Sequence, residues 1–483
     1  MKNTLYLLLS AFAATASPAI AAKSQADVLI HHATVIDVEQ GRAVPGQTVV
    51  LRGNDILAVG DDAQLAKQWR ATTSIDGSGR YLIPGLWDMH VHFGGGPALI
   101  EENKALLPLF VAHGITTVRD ASGDLAEQVL SWRGQIADGQ LFGPQLFTSG
   151  AKIEGLNPVW KGTIEAGDEA GVDAALDREQ RDGVDFVKIT DSTLKPELFL
   201  YAVSQAKARG LRSSGHVPMA LTVSQAIEAG MSSIEHLDYA FKAGVKDEAA
   251  IAAGFAAGRI DRAEANRRLR DGFDRDTAMA AYRRFAELDV AVTPTLDGGR
   301  IIDFLDVEPR DNDPYLAYIG PGLRKTYAWR VERAAKATPE QIEARHAHYA
   351  QVAAVLPMLQ KAGVRIMAGT DAGFLNSYNF PGTGLHNEMA LYVSEGLTPA
   401  QTLQSATRAG PAWFGKLDRY GAIEAGKAAD LVLLDRNPLE DIEAVRAINT
   451  VVMRGKVYDR TALDAMLTDT KAKVADWNAQ ATP

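Results

Sequence analysis

The chain contains no cysteine. Disulfide bridges and thiolate metal sites are therefore excluded, and any bound metal must be held by His, Asp, Glu or a modified Lys. Long hydrophobic runs are missing too. The apolar stretch Leu5–Ala14 is too short to span a bilayer, and no later stretch reaches spanning length without charges. Positive charge is in deficit. The 50 Lys and Arg residues face 60 Asp and Glu, a formal net charge of −10, and no basic stripe compensates. Nucleic acid is thus disfavoured as a partner. Hydrophobic residues at 46% and charged residues at 23% are ordinary globular values, which set aside disorder and fibrous structure. The length of 483 residues suits roughly two to four domains, or one large barrel with an appendage.

What is present begins with a leader-like segment. Lys2 supplies positive charge, Leu5–Ala14 an apolar core, and Ala19-Ile20-Ala21 a small-x-small cleavage pattern. Residues 1–21 are expected to be a signal peptide, giving a soluble periplasmic or secreted product. Loss of Lys2 would move the net charge from −10 to −11. Lipidation at the cleavage site would need a cysteine, which the chain does not have.

Residues 22–83 carry short alternating runs, among them Ala33–Asp37, Thr48–Leu51 and Asp55–Val59, punctuated by Gly41, Gly46, Gly53-Asn54 and Gly77-Ser78-Gly79. Residues 415–483 read alike, with strands at Asp430–Asp435 and Thr450–Tyr458 and a closing helix. Two β stretches around a long α/β middle predict one small, discontinuous β-sandwich built from both chain ends. Within residues 84–414, strand candidates at Gly85–His92, Thr116–Asp120, Gln145–Ser149, Phe186–Thr190, Arg212–His216, Ser233–His236, Val290–Thr295 and Arg365–Asp371 alternate with helical patterns. Eight such units predict an α/β fold of the (β/α)8 TIM-barrel type. Insertions at 242–277 and 296–338 exceed plain barrel connections and are expected over the face where strands end.

Met89-His90-Val91-His92 is the most informative stretch. On a strand, residues i and i+2 share a face, so two imidazoles can grip one ion. Lys188 lies inside the apolar run Phe186–Thr190, His216 and His236 close the fifth and sixth strand candidates, and Asp371 closes the eighth. A lone strand-end histidine is commonly structural, and Asp371 alone reads equally as a helix N-cap. Lys188 is harder to dismiss, because an unpaired ammonium in a barrel interior is costly and calls for a carboxylate or chemical conversion. Six such residues in strand order point to a site.

These residues sit in Pro84-Gly85-Leu86-Trp87-Asp88-Met89-His90-Val91-His92, Gly114–Asp120, Phe186–Ile189, Ser233–His236, Ala368–Asp371 and Gly421–Val432. In this combination the chain resembles the metal-dependent amidohydrolase superfamily, in its imidazolonepropionase-like and prolidase-like branch. The resemblance covers nearly all of the mature chain. It implies a binuclear site of two divalent ions, with zinc as the first expectation. His90, His92 and Asp371 would hold one ion and His216 and His236 the other, bridged by a CO2-derived carboxylate on Lys188. It further implies metal-activated water, with Asp371 moving a proton to the leaving nitrogen. Tyr239 is placed either to donate to the oxyanion or merely to pack. Arg119 would bind a substrate carboxylate or pair with Asp120, the pair being favoured. His386 would support the site, touch substrate or mark a helix start. Thr190-Asp191-Ser192-Thr193 and Ser214-Gly215-His216-Val217-Pro218 depart from the Ser-Gly-Gly and His-Ala-His-Gly often found in prolidase-like relatives.

The expected function is an exported hydrolase of a C–N amide bond in a dipeptide or N-acyl amino acid-like substrate. The alternatives are hydrolysis of a cyclic amide or a xenobiotic amide, carbamate or ester, and a non-catalytic periplasmic binding protein. Homo-oligomerisation is left open.

Overall fold

Ser24–Asp37 alternates buried and exposed side chains along 14 residues, the pattern of a strand with one face on a core. In the computed structural model, which describes residues 23–481, it organises an eight-stranded sheet. The expected signal peptide, residues 1–21, lies outside the described residues. Ser24–Asp37 pairs antiparallel with Arg42–Arg52, and its parallel partner changes from Trp69–Asp76 to Tyr81–Pro84 along its length. Tyr81–Pro84 then pairs antiparallel with Leu431–Leu434 from the far end of the chain, with Ile448–Met453 and Lys456–Asp459 beyond it. Both chain ends therefore share one sheet, over a core that includes Ile30, Leu51, Leu82, Leu431 and Val452. The Trp69–Asp76 strand gave no alternation signal because none of its side chains is buried. Helix Arg460–Ala481 follows the last strand.

The chain leaves this sheet at Pro84 and enters the first strand of the middle region, Leu86–His92. Gly85 makes the transition, its N–H donating to the carbonyl of Asp430 at 2.8 Å. A β-carbon at Gly85 would lie 2.6 Å from Thr116 Cγ2 and closer still to Thr116 Oγ1. Gly85→Ala is therefore expected to destabilise the protein by about 1–3 kcal/mol, the usual cost of overpacking. A thermal melt reads this, and an unchanged Tm would show that Thr116 yields freely.

The middle region is mixed α/β. Its strands form two parallel arcs. The first runs Ala372–Gly373, Leu86–His92, Ile115–Asp120, Gln145–Thr148. The second runs Thr163–Glu165, Lys152–Glu154, Val187–Ile189, Ser213–Gly215, Ser233–Glu235, Ala291–Thr293, Arg365–Ile366. The arcs approach through isolated backbone bonds, Met89 N–H to Ala368 O and Asp185 N–H to Thr148 O, both at 2.9 Å. Parallel strands in an α/β middle region match the sequence-based expectation at that level. The strand expected over Arg365–Asp371 is regular only at Arg365–Ile366, and Asp371 itself turns through a left-handed φ of 66°. The strands Lys152–Glu154 and Thr163–Glu165 were unforeseen, since three residues cannot show a period.

Two helical runs are divided, and Asn103–His113 falls into Ile100–Lys104 and Leu107–Ala112. Pro339–Ala362 is two helices, Pro339–Ala353 and Leu356–Ala362, because Pro357 has no N–H to continue the first. The 242–277 insertion contains helices Glu248–Ala256 and Arg262–Asp271. The 296–338 insertion is a string of short helices ending in Ala328–Ala335. No helix among the described residues is long and apolar enough to cross a membrane.

Candidate metal centre

His90 and His92 lie on one face of Leu86–His92, while His216 and His236 each follow the last residue of a parallel strand and Asp371 immediately precedes Ala372–Gly373. The structure brings all five together. His90 Nε2 and His92 Nε2 are 3.2 Å apart, and Asp371 Oδ1 is 3.4 Å from the first and 2.9 Å from the second. His236 Nε2 and His216 Nε2 are 3.0 Å apart. His90, His236 and Asp371 also bring one ligand atom each within 4.8 Å of the others.

The protons decide what this cluster is. His90 Nδ1 lies 2.6 Å from the Glu235 carboxylate, and His92 Nδ1 bonds the carbonyl of Ser122. Both acceptors require the proton on Nδ1, which leaves the Nε2 lone pairs facing each other and Asp371. Burial holds the His90 imidazolium well below its ordinary range and His236 at about 4, so protonating these rings is not the remedy. Burial would raise the Asp371 carboxyl, but the neighbouring His92, His90 and His236 rings outweigh it and hold the carboxyl well below its usual range. Several acceptor atoms thus converge with no proton between them, an arrangement that fits a divalent cation.

Lys188 adds a second misfit. It is 2% exposed, and its Nζ has no hydrogen-bond partner. Burial pushes its ammonium down to about 8, so a fraction of neutral amine is available near neutrality. It lines the same cavity as His92, His216, His236 and Asp371.

Backbone strain marks the same places. Ser122, His236, Thr295 and Asp371 all carry positive φ without being glycine. Such conformations persist where surrounding structure over-determines them, and they concentrate at functional sites.

Three further candidates lie away from the cluster's donor atoms, and for Arg119 the partner differs from the one expected. Arg119 is fully buried and does not reach the cavity. Its partner is Glu235 rather than Asp120, with Nη2 donating to both carboxylate oxygens at 2.7 and 2.8 Å, while Asp120 accepts from Thr148 Oγ1. Tyr239 stacks on His216, with ring centroids 5.6 Å apart and planes within 12°, and lines a separate cavity of about 550 Å³ beside Asp191. It buttresses a histidine instead of facing the carboxylate cluster. His386 is buried with Nε2 2.9 Å from the carbonyl of His113, away from the cavity, and neighbouring Glu388 accepts from the N–H groups of Leu296 and Asp297.

Glu235 was not assigned a role from sequence. It is fully buried and accepts from His90, Arg119, Ser214 Oγ and Ser233 Oγ. Its position beside His236, pointing to the opposite face of the strand, was the available signal.

The cavity above the cluster encloses about 490 Å³, and its wall includes Lys152, Trp160, Trp329 and Arg330. A second chamber of about 370 Å³ shares His236, Asp371 and Arg330 with it. The 296–338 insertion supplies residues to both, which places it over the strand ends as expected.

The sequence profile of the Amidohydrolase family matches residues 334–458. Ochratoxinase from Aspergillus niger is 24% identical over 500 aligned positions, covering 91% of this chain and 88% of that protein. Among solved structures, a putative prolidase from Bifidobacterium longum superposes with a TM-score of 0.66 at 21% identity, over 92% of this chain and 98% of that one. Bottromycin amidohydrolase superposes with a TM-score of 0.71 at 22% identity, over 92% and 90%.

Proposed function

We propose that the chain, whose residues 334–458 match the Amidohydrolase family profile, is an amidohydrolase that hydrolyses a C–N amide bond in a dipeptide or N-acyl amino acid. The observation that carries this reading is the convergence of acceptor atoms from His90, His92, His216, His236 and Asp371 in the cavity that the partnerless amine of Lys188 also lines. His90, His92 and Asp371 would hold one divalent ion and His216 and His236 a second. Lys188, whose neutral amine can add CO2, would carry the carboxylate between them. Zinc suits this nitrogen and oxygen donor set. Bound there, such ions polarise a carbonyl and acidify water. The two arcs would act as the barrel that presents these strand ends.

The chain's own part is positioning and proton transfer. His90 and His92 are held in one tautomer by Glu235 and the Ser122 carbonyl. Asp371, kept ionised by its neighbours, accepts the proton that water loses as the C–O bond forms. It returns that proton to the nitrogen as the C–N bond breaks, so the products are a carboxylic acid and an amine. The leader pattern of residues 1–21 supports action outside the cytoplasm.

The test is a metal count by plasma mass spectrometry, together with a hydrolysis panel of dipeptides and N-acyl amino acids. About two divalent ions per chain and release of free amino acid are expected. Protein that holds no metal as isolated, and takes up none on reconstitution, overturns the reading.

A further inference from the structure

His31 and His32 are neighbours in the long strand Ser24–Asp37, and on a regular strand their side chains would leave by opposite faces. The pairing with Arg42–Arg52 shifts register between Ile30 and Ala33, and His32 takes a left-handed φ of 60°. This bulge brings the two rings together. Their Nδ1 atoms lie 2.8 Å apart, with ring centroids at 4.5 Å and planes at 86°. Asp76 arrives from the parallel neighbour Trp69–Asp76, where it is the register partner of His31. Its Oδ1 lies 3.3 Å from His32 Nδ1 and 3.9 Å from His31 Nδ1.

Three acceptor atoms therefore share a space with room for one proton. Protons on both Nδ1 atoms would collide across 2.8 Å. A proton on His31 leaves His32 with none for Asp76, and a proton on His32 must be divided between His31 and Asp76. A divalent cation instead takes a lone pair from every one of them. The arrangement is also fixed beforehand. The His32 N–H donates to Asp62 Oδ1 at 2.9 Å, and the same oxygen accepts from Thr48 Oγ1, so a carboxylate outside the group holds the bulge. Asp76 Oδ1 accepts from the Ser78 N–H and hydroxyl at 3.0 and 2.7 Å, which holds the carboxylate in place. The side chains of His31, His32 and Asp76 are 31%, 56% and 61% exposed, so an ion can enter without moving the fold and water can complete its coordination.

We propose that His31, His32 and Asp76 form a further divalent transition-metal site on the small β domain, one that takes zinc in preference to magnesium. Two imidazole nitrogens and one carboxylate oxygen suit zinc, whereas magnesium seeks an octahedron of oxygen ligands. The site lies on the sheet that joins the two chain ends, apart from the strand ends of the middle region. It stands whether or not the cluster around Asp371 holds metal. A bound ion pins the bulge in the strand that organises this sheet, and so stabilises the folded state by mass action.

The experiment is equilibrium dialysis of the full chain against a series of free zinc concentrations, with wild type, His32→Asn and Asp76→Asn side by side. Asparagine tolerates the left-handed conformation of His32 and keeps the N–H that Asp62 accepts. Wild type is expected to bind about one zinc per chain more than either variant, whatever binds elsewhere, with affinity at this site falling by at least about 10–100-fold in the variants. Magnesium should show no such difference. Anomalous scattering at the zinc edge from wild-type crystals should place the ion between the two Nδ1 atoms and Asp76. Equal zinc counts in wild type and folded variants overturn the proposal and leave the imidazole pair as a plain hydrogen bond, as does an anomalous map with no peak there. A variant that loses its circular dichroism leaves the wild-type map to decide.

Discussion

Asp371→Asn is expected to keep the fold and to lose about 10²–10⁴-fold in kcat, the range that a positioned proton acceptor contributes. The substitution is nearly isosteric and retains an oxygen donor, so the ligand sphere is only weakened. What disappears is the carboxylate's basicity. Asp371 Oδ1 sits 2.9 Å from His92 Nε2 and 3.4 Å from His90 Nε2, an environment that keeps it ionised. Asparagine cannot accept the proton, so water addition must release it to solvent, and the leaving nitrogen must find one elsewhere. Circular dichroism and a metal count on the variant separate loss of fold or ions from loss of proton transfer. Unchanged kcat at full metal occupancy would refute the role.

The clustering of these side chains was legible because it is carried by residue types rare inside strands. His-x-His on one face, a lysine within Phe186–Thr190 and an aspartate closing Ala368–Asp371 each break an apolar pattern, and the strand order supplied the rest. The joining of both chain ends in one sheet was legible for a similar reason, since Leu431–Leu434 and Tyr81–Pro84 both read as short apolar strands. The supporting contacts were not. Arg119–Glu235 joins residues 116 positions apart, and no local period predicts which carboxylate a buried guanidinium will meet. Tyr239 sits three residues after His236 and so reads as facing the same site. The turn begun by the left-handed φ of His236 instead stacks its ring on His216.

The larger effect on stability is expected at Glu235. Glu235→Ala leaves the Arg119 guanidinium buried and without its carboxylate, a loss of about 3–5 kcal/mol by the usual cost of breaking such a pair. Arg119 has no easy escape. It is packed between Phe186 and Trp413 at 5.1 and 5.0 Å, and its Nη1 already lacks a partner. Burial would raise the Glu235 carboxyl, but Arg119 and His90 outweigh it and hold it well below the ordinary value of 4.5. The unfolded state therefore binds the proton first. The stability contributed by this carboxylate is present above about pH 4.5 and lost as pH falls toward the depressed folded value. Replacing both partners, Arg119→Met with Glu235→Met, removes the uncompensated charge and is expected to recover much of the lost Tm. It does not restore an acceptor for His90 Nδ1. Metal affinity in the double variant should therefore stay about 10–100-fold below wild type, the usual penalty for losing a hydrogen bond behind a ligating histidine. Melting temperature and zinc affinity, measured on the same three proteins, thus distinguish two roles of one carboxylate. If affinity returned together with stability, Glu235 would be a counter-ion for Arg119 and nothing more.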